Sequence, residues 1–314
     1  MSSDQRLSGP QSILEIGTVF FGGFETLAKT MPTWIASLDG SGIGLRIVDN
    51  GPTAQAERFV ESLTAGSAVR LTYVRRPDNP GFATSANTLI REAESRWLFL
   101  LNPDVYLDRD SVGRIVDYAT HAGPQSLAAV SLRTGSTLTS GVQLTWYGYF
   151  LDRGVPQRRC CLGPSGGAAV IPVKAARDNG WYFDEDLFAW GEDAGLAMRL
   201  SAAGVRTMEL DLQLTHIGGH SVPSLAGQQF KARLLARNRL IILRRDFSKP
   251  YQFVVGPLML LAMALNGVRK ARQGTARAYI LGIAEAVRTP QLQEVERPRL
   301  TLRQFVRYLF AGAL

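Results

Sequence analysis

Trp97-Leu98-Phe99-Leu100-Leu101-Asn102-Pro103-Asp104-Val105 is the stretch from which the fold can be read. Five apolar residues followed by Asn-Pro-Asp describe a strand covered on both faces that runs out into a polar turn. Pro103 ends the ladder, because it has no N–H to donate and biases Asn102 toward extended geometry. Asp104 is thereby placed just past the carboxyl end of a core strand, the edge at which open α/β sheets bind ligands. A carboxylate fixed there suits a hard divalent cation that carries a diphosphate.

Toward the N-terminus the pattern alternates. Residues 13–21, 45–51 and 69–74 have the composition of strands, and residues 24–37, 54–63 and 83–94 that of helices, with Pro32 an awkward guest in the first helix. This β-α-β-α order predicts an α/β fold with a mostly parallel, doubly wound sheet. Asp49, Asp78 and Asp104 each follow a strand, as expected of a nucleotide-binding half. Between the third strand and its helix, Asp78-Asn79-Pro80-Gly81-Phe82 supplies turn residues that let backbone approach an anion at a helix N-terminus. The same residues also serve a plain βα loop.

Toward the C-terminus the chain is less regular. Residues 130–150 are β-prone, and Gly163-Pro164-Ser165-Gly166-Gly167 is a small-residue turn suited to close passage of backbone by a ligand. Asp184, Glu185, Asp186, Glu192 and Asp193 sit among aromatics, the last two opening an amphipathic helix where acids also act as simple caps. His216 and His220 lie four apart in a Gly-rich loop after a strand at 210–214, and their position near these acids suggests a metal ligand.

Composition narrows the class. The 314 residues are 46% hydrophobic and 20% charged, ordinary for a globular chain. Charge is unevenly placed: residues 231–314 hold 16 Lys/Arg against 4 Asp/Glu, so +12, while the first 230 residues net −4. We therefore divide the chain into a catalytic body, 1–230, and a basic, partly apolar helical region, 231–314, whose partner is an anionic surface. Residues 251–265 are apolar but for Gln252, and Arg269, Lys270 and Arg272 follow. That stretch is too short to span a bilayer; it suits a helix lying in an anionic membrane interface, or one packed in a homo-oligomer. Adjacent Cys160 and Cys161 are poorly placed for a structural bridge and fit a reducing cytosol. Residues 1–11 carry no apolar signal segment. The expected location is cytoplasmic, peripheral at the inner face of the plasma membrane.

Asp49-Asn50-Gly51, Asn79-Pro80-Gly81-Phe82-Ala83 with Asn87, Asn102-Pro103-Asp104-Val105, Phe183-Asp184-Glu185, Glu192-Asp193 and His216-Ile217-Gly218-Gly219-His220-Ser221 occur in this order. Together, over about residues 13–245, they resemble family 2 glycosyltransferases of the GT-A fold, and most of all their rhamnosyltransferase-like branch. The resemblance implies an inverting transfer, best matched to L-rhamnose from dTDP-rhamnose, onto a cell-envelope glycan or polyprenyl-linked acceptor, with Mg²⁺ or Mn²⁺ on the donor diphosphate. It implies that Asp49 meets the base, that Asp78 or Asn79 lies beside the nucleoside, and that Gly81, Asn87, Asn102 and Gly167 belong to the nucleotide-sugar site. Asp104 and His216 become metal ligands and Asp193 the catalytic base, with Glu192 raising the pKa of the pair. The chain departs from the family in having Asn102 for the first acid of Asp-x-Asp, Gly195 where relatives often carry a further Asp, Trp181-Tyr182 for glycines, and Val19-Phe20-Phe21 for a Tyr-Asn edge.

Competing classes are a non-catalytic nucleotide-sugar-binding scaffold, which the Asn102 and Gly195 departures favour, and a nucleotidyltransferase. The latter needs a basic Gly-rich phosphate loop after strand one, and Gly22-Gly23-Phe24-Glu25 is not one. Nucleic acid is not an expected partner, because the basic quarter lacks interleaved stacking aromatics.

Overall fold

The computed structural model describes residues 12–155, 161–218, 224–290 and 297–311. Its first half runs β1 (Leu14–Phe20), α1 (Phe24–Leu38), β2 (Gly44–Asp49), α2 (Gln55–Thr64), β3 (Leu71–Arg75), α3 (Phe82–Glu92), β4 (Trp97–Leu101) and α4 (Arg109–His121). There follow β5 (Leu127–Thr134), β6 (Thr137–Leu144), β7 (Phe150–Gly154), β8 (Ala168–Pro172), α5 (Val173–Asp178), α6 (Glu192–Ala202) and β9 (Thr207–Thr215). Five helices close the chain: α7 (Leu225–Asp246), α8 (Lys249–Val254), α9 (Gly256–Arg272), α10 (Ala276–Arg288) and α11 (Leu302–Ala311).

One nine-stranded sheet is ordered β3-β2-β1-β4-β8-β5-β6-β7, with β9 on β5. β4 is buried throughout. Trp97, Phe99 and Leu101 face a core shared with Leu27, Met31 and Trp34 of α1, whereas Leu98 and Leu100 face one shared with Ala86, Leu89 and Ile90 of α3. That period-two division is why the run is apolar without a break: each face meets a helical layer. Each such side chain contributes about 1.5–3 kcal/mol of burial. On the α3 side, a Cβ at Gly17 would lie 2.8 Å from Leu98 Cδ1, so only glycine lets β1 and α3 pack this closely around β4.

The first half is parallel throughout, whereas the second keeps one parallel pair, β5 with β9. β1 pairs in parallel with β2 and β4, and β2 with β3, but β4–β8, β5–β6, β5–β8 and β6–β7 are antiparallel. The sheet is therefore mixed rather than mostly parallel. Hairpins replace helical crossovers after α4, a helix for which the sequence reading made no provision. Pro32 lies within α1 without ending it.

The expected division at residue 230 is not a division of the core. Ala236, Ile241 and Ile242 of α7 and Tyr251, Met259 and Tyr279 beyond it share one cluster with Val142, Leu144, Phe150, Ala197 and Met198. Basic residues dominated the sequence signal for this region, yet its apolar positions close the catalytic body.

α1 also holds the turn after β4. Thr30 Oγ1 donates to Pro103 O, Trp34 Nε1 to Val105 O at 2.7 Å and Ser37 Oγ to Leu107 O at 3.1 Å, while Leu107 N donates to Thr33 Oγ1 at 3.2 Å. Four polar side chains of a mostly buried helix thus satisfy backbone that Pro103 removed from the ladder. Replacing Trp34 with Phe keeps the ring packing but leaves the Val105 carbonyl without its donor. Urea unfolding should register a loss of about 1–3 kcal/mol; an unchanged midpoint would mean that this bond does not hold the turn.

Candidate active site

Asp104 emerges from that turn with its backbone tied to the end of β9. Ile217 N donates to Asp104 O at 2.9 Å, and Tyr106 N to Thr215 O at 2.8 Å. This brings His216 Nε2 to 3.0 Å from Asp104 Oδ1. His216 Nδ1 is hydrogen-bonded to Thr134 Oγ1 at 2.8 Å, a contact that orients the ring and leaves Nε2 turned to the carboxylate. Asp104 Oδ1 is buried and makes no hydrogen bond. A buried carboxylate oxygen without a hydrogen bond, met at 3.0 Å by the nitrogen of an oriented imidazole, fits a divalent cation that takes its remaining ligands from phosphate and water. Among the described residues no group of three or more His, Cys, Asp or Glu could hold a metal, so the protein would supply these two ligands. His220 lies outside the described residues, as does Cys160.

Asp193 stands at the start of α6. Its Oδ1 accepts from Ala194 N at 2.7 Å and its Oδ2 from Gly166 N at 3.2 Å. The next residue, Gly167, accepts from Asn102 N at 2.9 Å, so the small-residue turn links Asp193 to the Asn102-Pro103-Asp104 turn. A side chain at Gly167 would meet the Asn102 amide at 3.1 Å. Asp193 is half-buried; its enclosed carboxylate and the negative charge of Asp152 push its pKa to about 6, against the lowering effect of the two amides. Glu192 is buried, its Oε2 has no hydrogen bond, and burial followed by the Asp193 charge raises its pKa well above the usual carboxylate range. The two carboxyls are thus set apart, Glu192 pushed up the further by its burial and Asp193 held near 6, which makes Asp193 the group suited to accept a proton near neutral pH.

The nucleotide-side residues are placed unequally. Asp49 is fully buried, with Oδ1 accepting from Gly51 N at 2.7 Å and Oδ2 from Tyr73 Oη at 2.9 Å; burial outweighs these bonds and raises its pKa. Its carboxylate pins the Asp-Asn-Gly turn. Asp78 is exposed and paired with Arg76 at 3.2 Å, whose hydrogen bond lowers its pKa. Asn79 adopts φ 44°, a left-handed turn residue. Gly81, at φ 92°, lies under Phe188: a Cβ would fall 2.5 Å from the ring, so glycine is required here on two counts. Asn87, expected at the nucleotide, is completely buried. Its Nδ2 donates to Phe183 O and Glu185 Oε1, both at 2.9 Å, and its Oδ1 accepts from Phe183 N at 2.8 Å. Both N–H groups of its amide are used, and it ties α3 to the acidic loop.

Residues of α7, missed in the sequence, build the opposite wall. Buried Asn238 donates to the carbonyls of Leu187, Ala189 and Trp190 at 2.8–2.9 Å. These bonds hold Phe188 and Trp190 at φ 62° and 59°, conformations that cost on the order of 1–3 kcal/mol each. Phe230 packs edge-on against both rings, and Lys231 Nζ lies 5.7 Å from the Trp190 ring. Farther down, Asp184 Oδ2 accepts from Arg245 at 2.9 Å and Arg297 at 2.7 Å. Burial would raise the Asp184 pKa, but the two cations hold it below the usual range. At the Gly195 departure, a Cβ would come within 3.3 Å of Asp246 Oδ2. A carboxylate from α7 therefore occupies the space beside α6 that a side chain at 195 would need. Asn238 lies between Arg237 and Arg239 in a basic stretch, which carries no local signal for this role.

The sequence model of Glycosyl transferase family 2 matches residues 18–178. The chain belongs to glycosyl transferase family 2. Its GT-A-like fold is shared with three solved structures of low identity, a likeness of fold alone. GalNAc-T7 with UDP, GalNAc and Mn²⁺ gives a TM-score of 0.58 at 12% identity, covering 76% of this chain and 49% of that one. The mannosyltransferase PcManGT from Pyrobaculum calidifontis in complex with GDP-Man and Mn²⁺ gives 0.55 at 14%, covering 92% and 80%. TarS 1–349 of S. aureus gives 0.51 at 15%, covering 90% and 93%. The family 2 chain thus spans about half the length of GalNAc-T7. A search of curated proteins by sequence finds no match.

Two outcomes follow for this family 2 member. If ionised Asp193 takes the proton, kcat/KM climbs tenfold per pH unit below about 6 and levels off above it, and Asp193→Asn lowers kcat by roughly 10²–10⁴; a flat profile between pH 5 and 8 would exclude it as the base. Asn238→Ala releases three carbonyls, so thermal unfolding should record a loss of about 2–4 kcal/mol together with reduced kcat. Full stability would show that the 187–190 conformation holds itself.

Proposed function

We propose that this protein is an inverting, metal-dependent hexosyltransferase that moves a sugar from a nucleotide diphospho-sugar to a hydroxyl of a cell-envelope glycan or lipid-linked acceptor. The observation that carries the reading is the Asp193 carboxylate, fixed by two backbone amides, tuned to about pH 6 and joined through Gly166-Gly167 to the turn that presents Asp104.

In the proposed step the acceptor oxygen forms a bond to the anomeric carbon as the bond from that carbon to the diphosphate oxygen breaks. The hydroxyl proton passes to Asp193, and the electron pair leaves with the nucleoside diphosphate. Inversion requires the base on the face opposite the leaving group, so one acceptor-side carboxylate suffices and no covalent sugar intermediate is formed. Burial disfavours charge on Glu192, and the Asp193 charge disfavours it further. Asp104 and His216 would hold Mg²⁺ or Mn²⁺, which when bound offsets charge on the departing diphosphate. Two fold neighbours hold UDP with Mn²⁺ and GDP-Man with Mn²⁺, which supports a nucleotide donor and a divalent cation here.

The donor named by the sequence resemblance is dTDP-L-rhamnose, and Trp190, Phe188 and Phe230 offer an aromatic acceptor wall. The test is nucleotide release from UDP-, GDP- and dTDP-sugars with and without Mn²⁺ or Mg²⁺, with lipid-linked glycans as acceptors. The expected result is metal-stimulated turnover of one donor, removed by chelator and by Asp104→Asn. Nucleotide-sugar binding without turnover of any donor and acceptor pair would replace this reading with the scaffold, which the neutral Asn102 favours.

A further inference from the structure

The C-terminal helices close the core with one face and leave the other without cover. In α9, Met259 and Met263 are buried, whereas Leu258, Leu261, Leu265 and Val268, at i, i+3, i+7 and i+10, are 40–66% exposed. One turn on, Arg269 and Arg272 are exposed on the same arc of the helix. α8 precedes it with Phe253 84% exposed, the most exposed of the large hydrophobic residues in the helix pair. A monomer in water gains nothing from such a stripe. Burying these five side chains would contribute several kcal/mol at about 25 cal/mol per Å².

Charge identifies the occupant. Residues 249–290 carry six Lys/Arg and a single acid, Glu285, which is paired with Arg233. An apolar arc followed on the same side by cations, without exposed acids, complements acyl chains beneath anionic headgroups. A second copy of this chain would instead bring like charge against like. Among the described residues no helix is long and apolar enough to cross a membrane, so the contact would be one of lying on the surface.

The same cations lead toward the site. Lys270, partly buried, has its pKa lowered by that burial and by the charges of Arg269, Arg239 and Lys231. Lys231 in turn lies by Trp190 on the acceptor wall.

We propose that α8 and α9 dock this protein on an anionic lipid bilayer, with Phe253, Leu261 and Leu265 among the acyl chains and Arg269 and Arg272 at the lipid phosphates. The docking stands on the helix face alone. Its consequence, that Lys231 and the Trp190 wall meet a phosphorylated lipid-linked acceptor at the surface, rests on the glycosyl-transfer reading.

Vesicle flotation of the full chain tests it, without donor or acceptor, so failure here leaves the transfer reading untouched. The wild type should float with phosphatidylglycerol–phosphatidylcholine vesicles and tenfold less with phosphatidylcholine alone. The L261E/L265E double variant should lose at least tenfold, and R269E/R272E should lose the preference for anionic lipid. Phe253→Ser serves as a second apolar variant if the double variant fails to show a native thermal transition. Wild type that stays at the bottom of the gradient, or variants that float equally well, would overturn the proposal. So would a lipid-free dimer, seen by analytical ultracentrifugation and dissolved by L261E/L265E, because the face would then belong to a second copy.

Discussion

Pro103 cannot extend the ladder of β4, and the chemistry of this molecule is arranged around where that leaves the chain. Five buried apolar residues drive β4 into the middle of the sheet. At its end the backbone needs new partners, because unpaired buried N–H and C=O groups are costly. α1 answers from one side with Thr30 and Trp34, and the Ile217 amide from the other. Asp104 and His216 meet because both tethers end at the same turn. The position of the Asp104 carboxylate is thus a consequence of backbone satisfaction, not of any attraction between the site residues themselves.

The opposing wall is built on a different principle. Asp193 is presented by the first turn of α6, but the loop leading to it is held open in conformations that non-glycine residues avoid, and α7 supplies the restraint through Asn238. Below it lie Asp184 between Arg245 and Arg297, and Asp246 with Arg199 at 3.7 Å. Asp246 is fully buried with both oxygens lacking hydrogen bonds, and burial ahead of the Arg199 attraction sets its pKa at about 6. Buried ion pairs add little net stability, yet removing one member is expensive. Their value here is positional: they fix α7 and the 297 segment against the loop that aims Asp193.

Much of this was legible in the residues. The Trp97–Leu101 run, the alternation before it and the Asp104, Asp193 and His216 positions carry local signals: apolar continuity, a proline stop, an acid at a helix start. What was not legible is long-range. The antiparallel half depends on which strands pair, and short β-prone stretches say nothing of their partners. Asn87 was assigned to the nucleotide side through the family resemblance; only the fold shows Phe183 and Glu185 at its amide. Asn238 gave no hint of three carbonyls some fifty residues away in sequence. The basic, partly apolar C-terminal quarter read as a separate region because apolar residues in sequence do not say which strands and helices they pack against.

The most direct test of the central claim is anomalous diffraction from Mn²⁺ in crystals grown with a nucleoside diphosphate. The expected result is a manganese peak bonded to Asp104 and His216, the diphosphate on that ion, and the Asp193 carboxylate facing the vacant sugar position from the other side. A nucleotide bound elsewhere, or manganese away from Asp104 with Asp193 turned from the diphosphate, would contradict it.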